Sequence, residues 1–233
     1  MLANIPWYYL VISLVTCLAM VWFVRRGEQQ NLNRQHLLNI FLIVIVSAFV
    51  GARIFHALFE YPTLYLNHPQ LLFQIWQGGY VFFGGAVSGF IAAYWYCHSR
   101  HLSFLKYLDV AAPVAGLAYA FGRVGCFLAG CCYGRFCELP WAWQGRHPTQ
   151  LYALIIELWI VWLLLLLEKR KAHPTGSIFF AWMTLHGLGR LFMEYFRDDF
   201  RGPVFVMSIS SWFSLALIVL GGFLSLRPYF KKI

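Results

Sequence analysis

Stretches of about 20 apolar residues, the length at which a helix crosses a bilayer core, recur along the whole of this 233-residue chain. No other feature constrains the fold as tightly. In lipid every backbone N–H and C=O must be satisfied internally, so such a chain folds as a bundle of spanning helices. Composition agrees: 61% of residues are hydrophobic and 12% are charged, against about 25% charged in a soluble domain. Seven spans fit the pattern, roughly Pro6–Val24, Leu37–Phe59, Val81–Cys97, Leu108–Leu128, Leu151–Leu167, Ile178–Phe196 and Val204–Leu226. The expected fold is an all-α polytopic membrane helix bundle, a single integral membrane domain over 1–233. Its longer outer loops are expected at about 60–80 and 129–150. Neither a soluble domain nor an internal repeat is visible.

Charge sets the expected orientation. With the N-terminus outside and the C-terminus cytoplasmic, eleven of the eighteen basic residues fall at inner ends: Arg25, Arg26, Arg34, Arg100, Lys106, Lys169, Arg170, Lys171, Arg227, Lys231 and Lys232. That bias obeys the positive-inside rule. It also accounts for most of the +9 net charge without a nucleic-acid partner, because the charges are scattered over loop ends. Arg25 and Arg26 follow the first apolar run instead of preceding it, the reverse of a cleavable signal peptide. The first segment is therefore expected to be a retained span.

Arg53, Arg123 and Arg190 lie inside three different spans. Each stands about 12 to 17 residues from its inner helix end, or roughly 18–25 Å into a core of about 30 Å. Their common depth predicts one polar pocket in the outer half of the membrane, where an arginine is costly unless something there needs its charge. A guanidinium fork matches phosphate oxygens, so an anionic phospholipid is the expected ligand. Arg53 reads equally well as pairing with a carboxylate or with backbone carbonyls at a helix end. Arg190 has Glu194 four residues on, the spacing of an intrahelical ion pair. Arg197 and Arg201, beside Asp198 and Asp199, read as an interfacial charge cluster.

The segment Gly122-Arg123-Val124-Gly125-Cys126-Phe127-Leu128-Ala129-Gly130-Cys131-Cys132-Tyr133-Gly134 closes the fourth span. It joins one of these arginines to four glycines and three cysteines. With it stand Trp7-Tyr8, Gly51-Ala52-Arg53 followed by Ile-Phe-His-Ala-Leu-Phe-Glu-Tyr, Trp76-Gln77-Gly78-Gly79 with Phe82-Phe83-Gly84-Gly85, Arg146-His147-Pro148-Thr149-Gln150-Leu151-Tyr152, and Arg190 with Glu194-Tyr195-Phe196-Arg197. In this order, nearly the whole chain resembles the prolipoprotein diacylglyceryl transferase family.

The resemblance implies a transferase of the bacterial plasma (inner) membrane. Such an enzyme moves diacylglyceryl from phosphatidylglycerol to the lipobox cysteine thiol of a prolipoprotein, and glycerol phosphate leaves. Neither metal nor redox cofactor is expected. Arg123, Arg190, Glu194, His147, Cys131 and Cys126 are the candidate catalytic residues. Tyr8, Arg53, Gly84, Gly85, Gly122, Gly125, Gly134 and Tyr152 are the candidate substrate-binding residues. Glu157 and His56 are further candidate bases, and His186 reads as an interhelical hydrogen-bonding residue.

The family signature, typically GRxGNFxNGExxG, is altered here. Cys126 and Ala129 stand at its asparagines, Cys131 at its glutamate, and Phe83 at the histidine of its FHGG segment. Cys126, Cys131, Cys132 and Cys137 crowd into twelve residues, with a C-x4-C-C-x4-C spacing unlike a C-x2-C zinc pair. Packing, a disulfide and a thiol made reactive by Arg123 all fit this spacing. Cys17 and Cys97 read as small buried apolar residues. Two further functions follow from the altered signature. One is transfer to another thiol or small acceptor through Cys126, Cys131 and Cys132. The other is a non-catalytic lipid-binding or redox-sensing membrane protein.

Overall fold

Helix dominates wherever the apolar runs predicted it. The protein is described by a computed structural model over residues 7–169, 173–198 and 207–230. The α-helices within these residues are α1 (Trp7–Gln29), α2 (Arg34–Phe55), α3 (Pro62–Asn67), α4 (Phe82–Ser99), α5 (Phe104–Leu128), α6 (Thr149–Glu168), α7 (Ser177–Glu194) and α8 (Ile209–Phe230). The seven long ones coincide with the seven expected spans, although their ends differ. Helix α1 runs on past Val24 to Gln29, carrying Arg25 and Arg26 within it. Helix α2 is prolonged by a π turn over His56–Glu60. Four helical stretches are long and apolar enough to cross a membrane, Trp7–Gln29, Arg34–Glu60, Phe104–Leu128 and Thr149–Glu168, and Ile209–Ser225 is a shorter apolar helix. Large apolar side chains face outward on them, such as Leu10, Leu14 and Leu18 on α1 and Ile155, Trp159 and Trp162 on α6. Lipid is the solvent that tolerates such a surface.

The chain divides into two compact units, one of residues up to Arg26 and from Leu105 onward, the other of Gly27–Phe104. In the second unit, the Asn33 side chain caps α2 by accepting from the Gln35 and His36 N–H groups. Helices α2 and α4 approach closely at small residues. A Cβ on Gly84 would strike Phe55 and lie 2.7 Å from the Gly51 carbonyl, and Gly85 faces the Ala48 carbonyl. This is the small-residue packing that stands in for hydrophobic drive inside lipid. The expected loop over 60–80 is largely wound, into α3 and the 3-10 turns Pro69–Phe73 and Ile75–Gln77.

The first unit solves a different problem, buried charge. Asp109 on α5 is 5% exposed. Its carboxylate accepts from the Gly176 N–H at 2.5 Å and the Phe179 N–H at 3.0 Å. It thereby caps α7, where a negative charge meets the positive end of the helix dipole. Arg26 donates twice to Glu168, at 2.9 Å to each oxygen. An apolar core of Ala112, Ile160, Leu164 and Ile178 ties α5, α6 and α7 together.

Candidate active site

Helices α5 and α7 each carry one of the arginines expected in the pocket, and both arginines converge on Tyr119. The ring of Tyr119 lies under the Arg123 guanidinium, 4.5 Å from centroid to Cζ. Its hydroxyl accepts from Arg190 Nη1 at 3.4 Å. Arg190 Nη2 donates to Ser210 Oγ at 2.6 Å. Glu194 accepts from Ser208 Oγ at 2.6 Å, so the i,i+4 ion pair expected of Arg190 and Glu194 gives way to two serines at the start of α8. Arg123 has no hydrogen bond or ion pair with the described residues, and only the π face of Tyr119 meets its guanidinium. The half-buried Arg123 guanidinium therefore keeps donors of the kind that match phosphate or carboxylate oxygens.

Behind Tyr119 the polar chain continues. His186 stands edge-on to the Tyr119 ring, with centroids 4.8 Å apart. His186 Nδ1 meets Glu157 Oε2 at 2.8 Å, and Trp182 Nε1 donates to Glu157 Oε1 at 2.8 Å. Glu157 is 2% exposed. The interhelical role read for His186 is therefore the one it plays.

Beyond α5, the Thr149 hydroxyl and the Gln150 amide hold the Cys132 and Cys131 carbonyls at 2.6 and 2.5 Å. The three sulfurs of Cys126, Cys131 and Cys132 lie within 4.8 Å of one another. Hydrogen bonding from the Cys126 thiol holds Cys132 down at about 5; burial opposes this, and the charges of Arg197 and Arg123 reinforce it. Burial, then the charge of Cys132, pushes the Cys131 thiol up. The lowered thiol of the cluster is thus Cys132, whereas Cys126 and Cys131 are the two that the sequence singles out as candidate catalytic residues. All six cysteines are free. Cys97 is buried as expected, but Cys17 is exposed on α1, on the face that also carries the exposed Leu14 and Leu18.

The loop between α5 and α6 is stitched to the end of α7 through Gly134, which bridges Arg197. A Cβ there would stand 2.5 Å from the Phe196 carbonyl and 2.7 Å from His147 Cβ, so only glycine lets the backbones approach. His147 Nδ1 faces Tyr152 Oη at 3.3 Å, and Trp141 Nε1 donates to the same hydroxyl at 2.8 Å. Tyr8 packs against Gly125, where an added Cβ would lie 3.3 Å from its ring. Gly122 has more room, with Ile12 at 3.7 Å. Arg146 approaches Asp198 at 4.0 Å and covers the Phe136 ring at 3.9 Å. Asp199 and Arg201 lie outside the described residues.

Arg53 belongs to the second unit and is spent on that unit's own backbone. It donates to the carbonyls of Leu71, Leu72, Gln74, Gly78 and Gly79, the backbone-carbonyl role that stood beside carboxylate pairing and substrate binding among its readings. With His56, Tyr61 and Tyr65 it lines a cleft of about 220 Å³. His56 is bonded there to Tyr65 Oη at 3.0 Å and approaches Glu60 at 3.4 Å. Gly84 and Gly85 serve the α2–α4 contact.

Comparison with known proteins agrees with these motifs. The family model described as prolipoprotein diacylglyceryl transferase matches residues 1–227. The chain belongs to this family. A phosphatidylglycerol–prolipoprotein diacylglyceryl transferase of Clostridium tetani is 31% identical, over 97% of this chain and 94% of the relative. Proteins of the same name from Paracidovorax citrulli and Idiomarina loihiensis are 35% and 30% identical, over 82% and 96% of this chain and 76% and 88% of theirs. Within the prolipoprotein diacylglyceryl transferase signature, the glycines and Arg123 keep their places. Cys126, in the last turn of α5, and Ala129 and Cys131, just beyond it, stand where that signature typically has two asparagines and a glutamate.

Tyr119, Ser208 and Ser210 were not among the sequence candidates, and Thr149 and Gln150 stood there only as part of a motif, without the carbonyl-holding role they take. A signal existed for Tyr119, which precedes Arg123 by four residues and so shares its helix face. None existed for the serines, whose partners come from another helix.

Proposed function

We propose that this protein transfers the diacylglyceryl group of phosphatidylglycerol to the lipobox cysteine thiol of prolipoproteins. In this reading it sits in the bacterial plasma membrane with seven spans, its N-terminus outside and its C-terminus cytoplasmic. The observation that carries the proposal is the arrangement at Tyr119, one guanidinium with unused donors beside a second that is fixed by Tyr119 and Ser210. That arrangement suits a phosphodiester at lipid headgroup depth.

The acceptor sulfur attacks the glycerol carbon that carries the phosphate. The carbon–sulfur bond forms as the carbon–oxygen bond breaks, and glycerol phosphate departs with the electron pair. Negative charge grows on the leaving oxygen. Arg123 receives it, and Arg190, held before the reaction begins, adds a second preorganised charge. The thiol must lose its proton to become a nucleophile. His147, an imidazole in the loop beside Thr149, is our assigned acceptor. Tyr152 and Trp141 hold that imidazole and its partner hydroxyl in place.

Direct displacement is favoured over an enzyme-bound lipid on Cys126 or Cys131. Alkylating either would give a thioether, and a thiolate leaves an alkyl carbon far less readily than a phosphate does. We therefore assign Cys126 and Cys131 no nucleophilic role. Incubation of the purified protein with phosphatidylglycerol and a lipobox peptide tests the proposal. The peptide should gain the diacylglyceryl mass at its cysteine, and a peptide of unchanged mass would refute the assignment.

A further inference from the structure

The end of α5 and the turn after it bring together three of the four cysteines that crowd the sequence there. Cys126 stands in the last turn of α5 and Cys131 and Cys132 just beyond it, yet their three sulfurs lie within 4.8 Å of one another. Cys131 and Cys132 are 3.7 Å apart, sulfur to sulfur. This is a built arrangement. The Cys131 N–H closes onto the Cys126 carbonyl at 3.1 Å. Gly130 and Cys132 both take left-handed backbone, with φ of +67° and +65°. For a cysteine that conformation costs about 1 kcal/mol or more, and it persists only where its surroundings over-determine it. Two side chains at the start of α6 do so. Thr149 and Gln150, 2% and 1% exposed, hold the carbonyls of Cys132 and Cys131.

The geometry points to a binding site for one thiophilic closed-shell metal ion, of the Cu(I) or Zn(II) class, held by the Sγ atoms of Cys126, Cys131 and Cys132. Thiolates bound to zinc at about 2.3 Å stand roughly 3.8–4.0 Å apart. The triad already brackets that separation, so closing on an ion takes small side-chain rotations. Thiolate sulfur selects soft cations over Mg²⁺ or Ca²⁺. Three thiolates around a monovalent or divalent ion leave net negative charge, and the positive charges of Arg123 and Arg197 bear on this cluster. On binding, each thiol that still carries a proton releases it to solvent. Three protein ligands leave a fourth position for water. Cys137 is not part of the triad; its N–H is tied to the Gly145 carbonyl at 2.9 Å.

The site stands independently of the transferase reading, because its test reads metal directly. Reduced, purified full-length protein in detergent is titrated with Cd(II), whose thiolate bonds give a charge-transfer absorption. We expect one cadmium per chain. Bound cadmium should slow alkylation of Cys126, Cys131 and Cys132 at least tenfold, read by peptide mass mapping, while Cys137 stays reactive. Cys126→Ser and Cys132→Ser should each weaken binding at least tenfold, and Cys137→Ser should not. Absence of the absorption, a band that survives in Cys132→Ser, or protection that omits Cys126 would overturn the site. Should a variant fail to insert, the protection pattern of the unmodified chain decides alone.

Discussion

Tyr119 offers the sharpest test of how the two arginines are held. Its ring supports Arg123 at 4.5 Å and its hydroxyl accepts from Arg190 at 3.4 Å. These two contacts separate cleanly by substitution. Tyr119→Phe keeps the ring and removes a long hydrogen bond, whose loss costs no more than about 1 kcal/mol. That corresponds to roughly fivefold in kcat/KM, since about 1.4 kcal/mol is tenfold. Ser210 still fixes Arg190 at 2.6 Å, so the smaller end of that range is expected. Tyr119→Leu removes the ring as well. A cation–π contact in a poorly hydrated site contributes about 1–2 kcal/mol, and Arg123 has no hydrogen bond among the described residues to hold it in place. The Leu variant should therefore lose roughly 10- to 100-fold in kcat/KM, summing both contacts. The assay is the initial rate of peptide lipidation in mixed micelles, with gel filtration confirming that each variant remains monodisperse. Equal rates for Tyr119→Leu and the unmodified protein would refute the idea that this ring positions Arg123.

Four further outcomes follow from the structure. Arg190→Lys cannot span Tyr119 and Ser210 with one ammonium, so transfer should fall at least tenfold while the helix content measured by circular dichroism stays unchanged. Asp109→Ala strands two N–H groups at the start of α7, and thermal unfolding in detergent should show destabilisation of about 2–4 kcal/mol. Gly134→Ala drives a methyl into the Phe196 carbonyl and should destabilise by about 1–3 kcal/mol. Gly122→Ala, facing open space with Ile12 at 3.7 Å, should stay within about 0.5 kcal/mol of the parent.

The long helices were legible because apolar runs of this length have few other ways to satisfy their backbone. Arg123 and Arg190 were legible because charge at lipid depth demands a reason. Their fine geometry was not. Glu194 sits at the right spacing for Arg190, yet serines from α8 outcompete that pairing, and no intrahelical rule foresees them. Arg53 shares its expected depth with the other two arginines, but the backbone of 71–79 takes its donors. Only the folded loop reveals that. The thiol triad depends on left-handed backbone at Cys132, a conformation cysteine rarely adopts and that no composition or spacing predicts.

We assign Arg123 to the phosphate of a phospholipid whose diacylglyceryl group moves to a cysteine thiol. Mass spectrometry of a lipobox peptide, after incubation with phosphatidylglycerol and either the unmodified protein or Arg123→Ala, tests it most directly. The peptide should carry a diacylglyceryl thioether with the unmodified protein and none above background with the variant. A product of equal yield from Arg123→Ala, or no product from the unmodified protein, would contradict it.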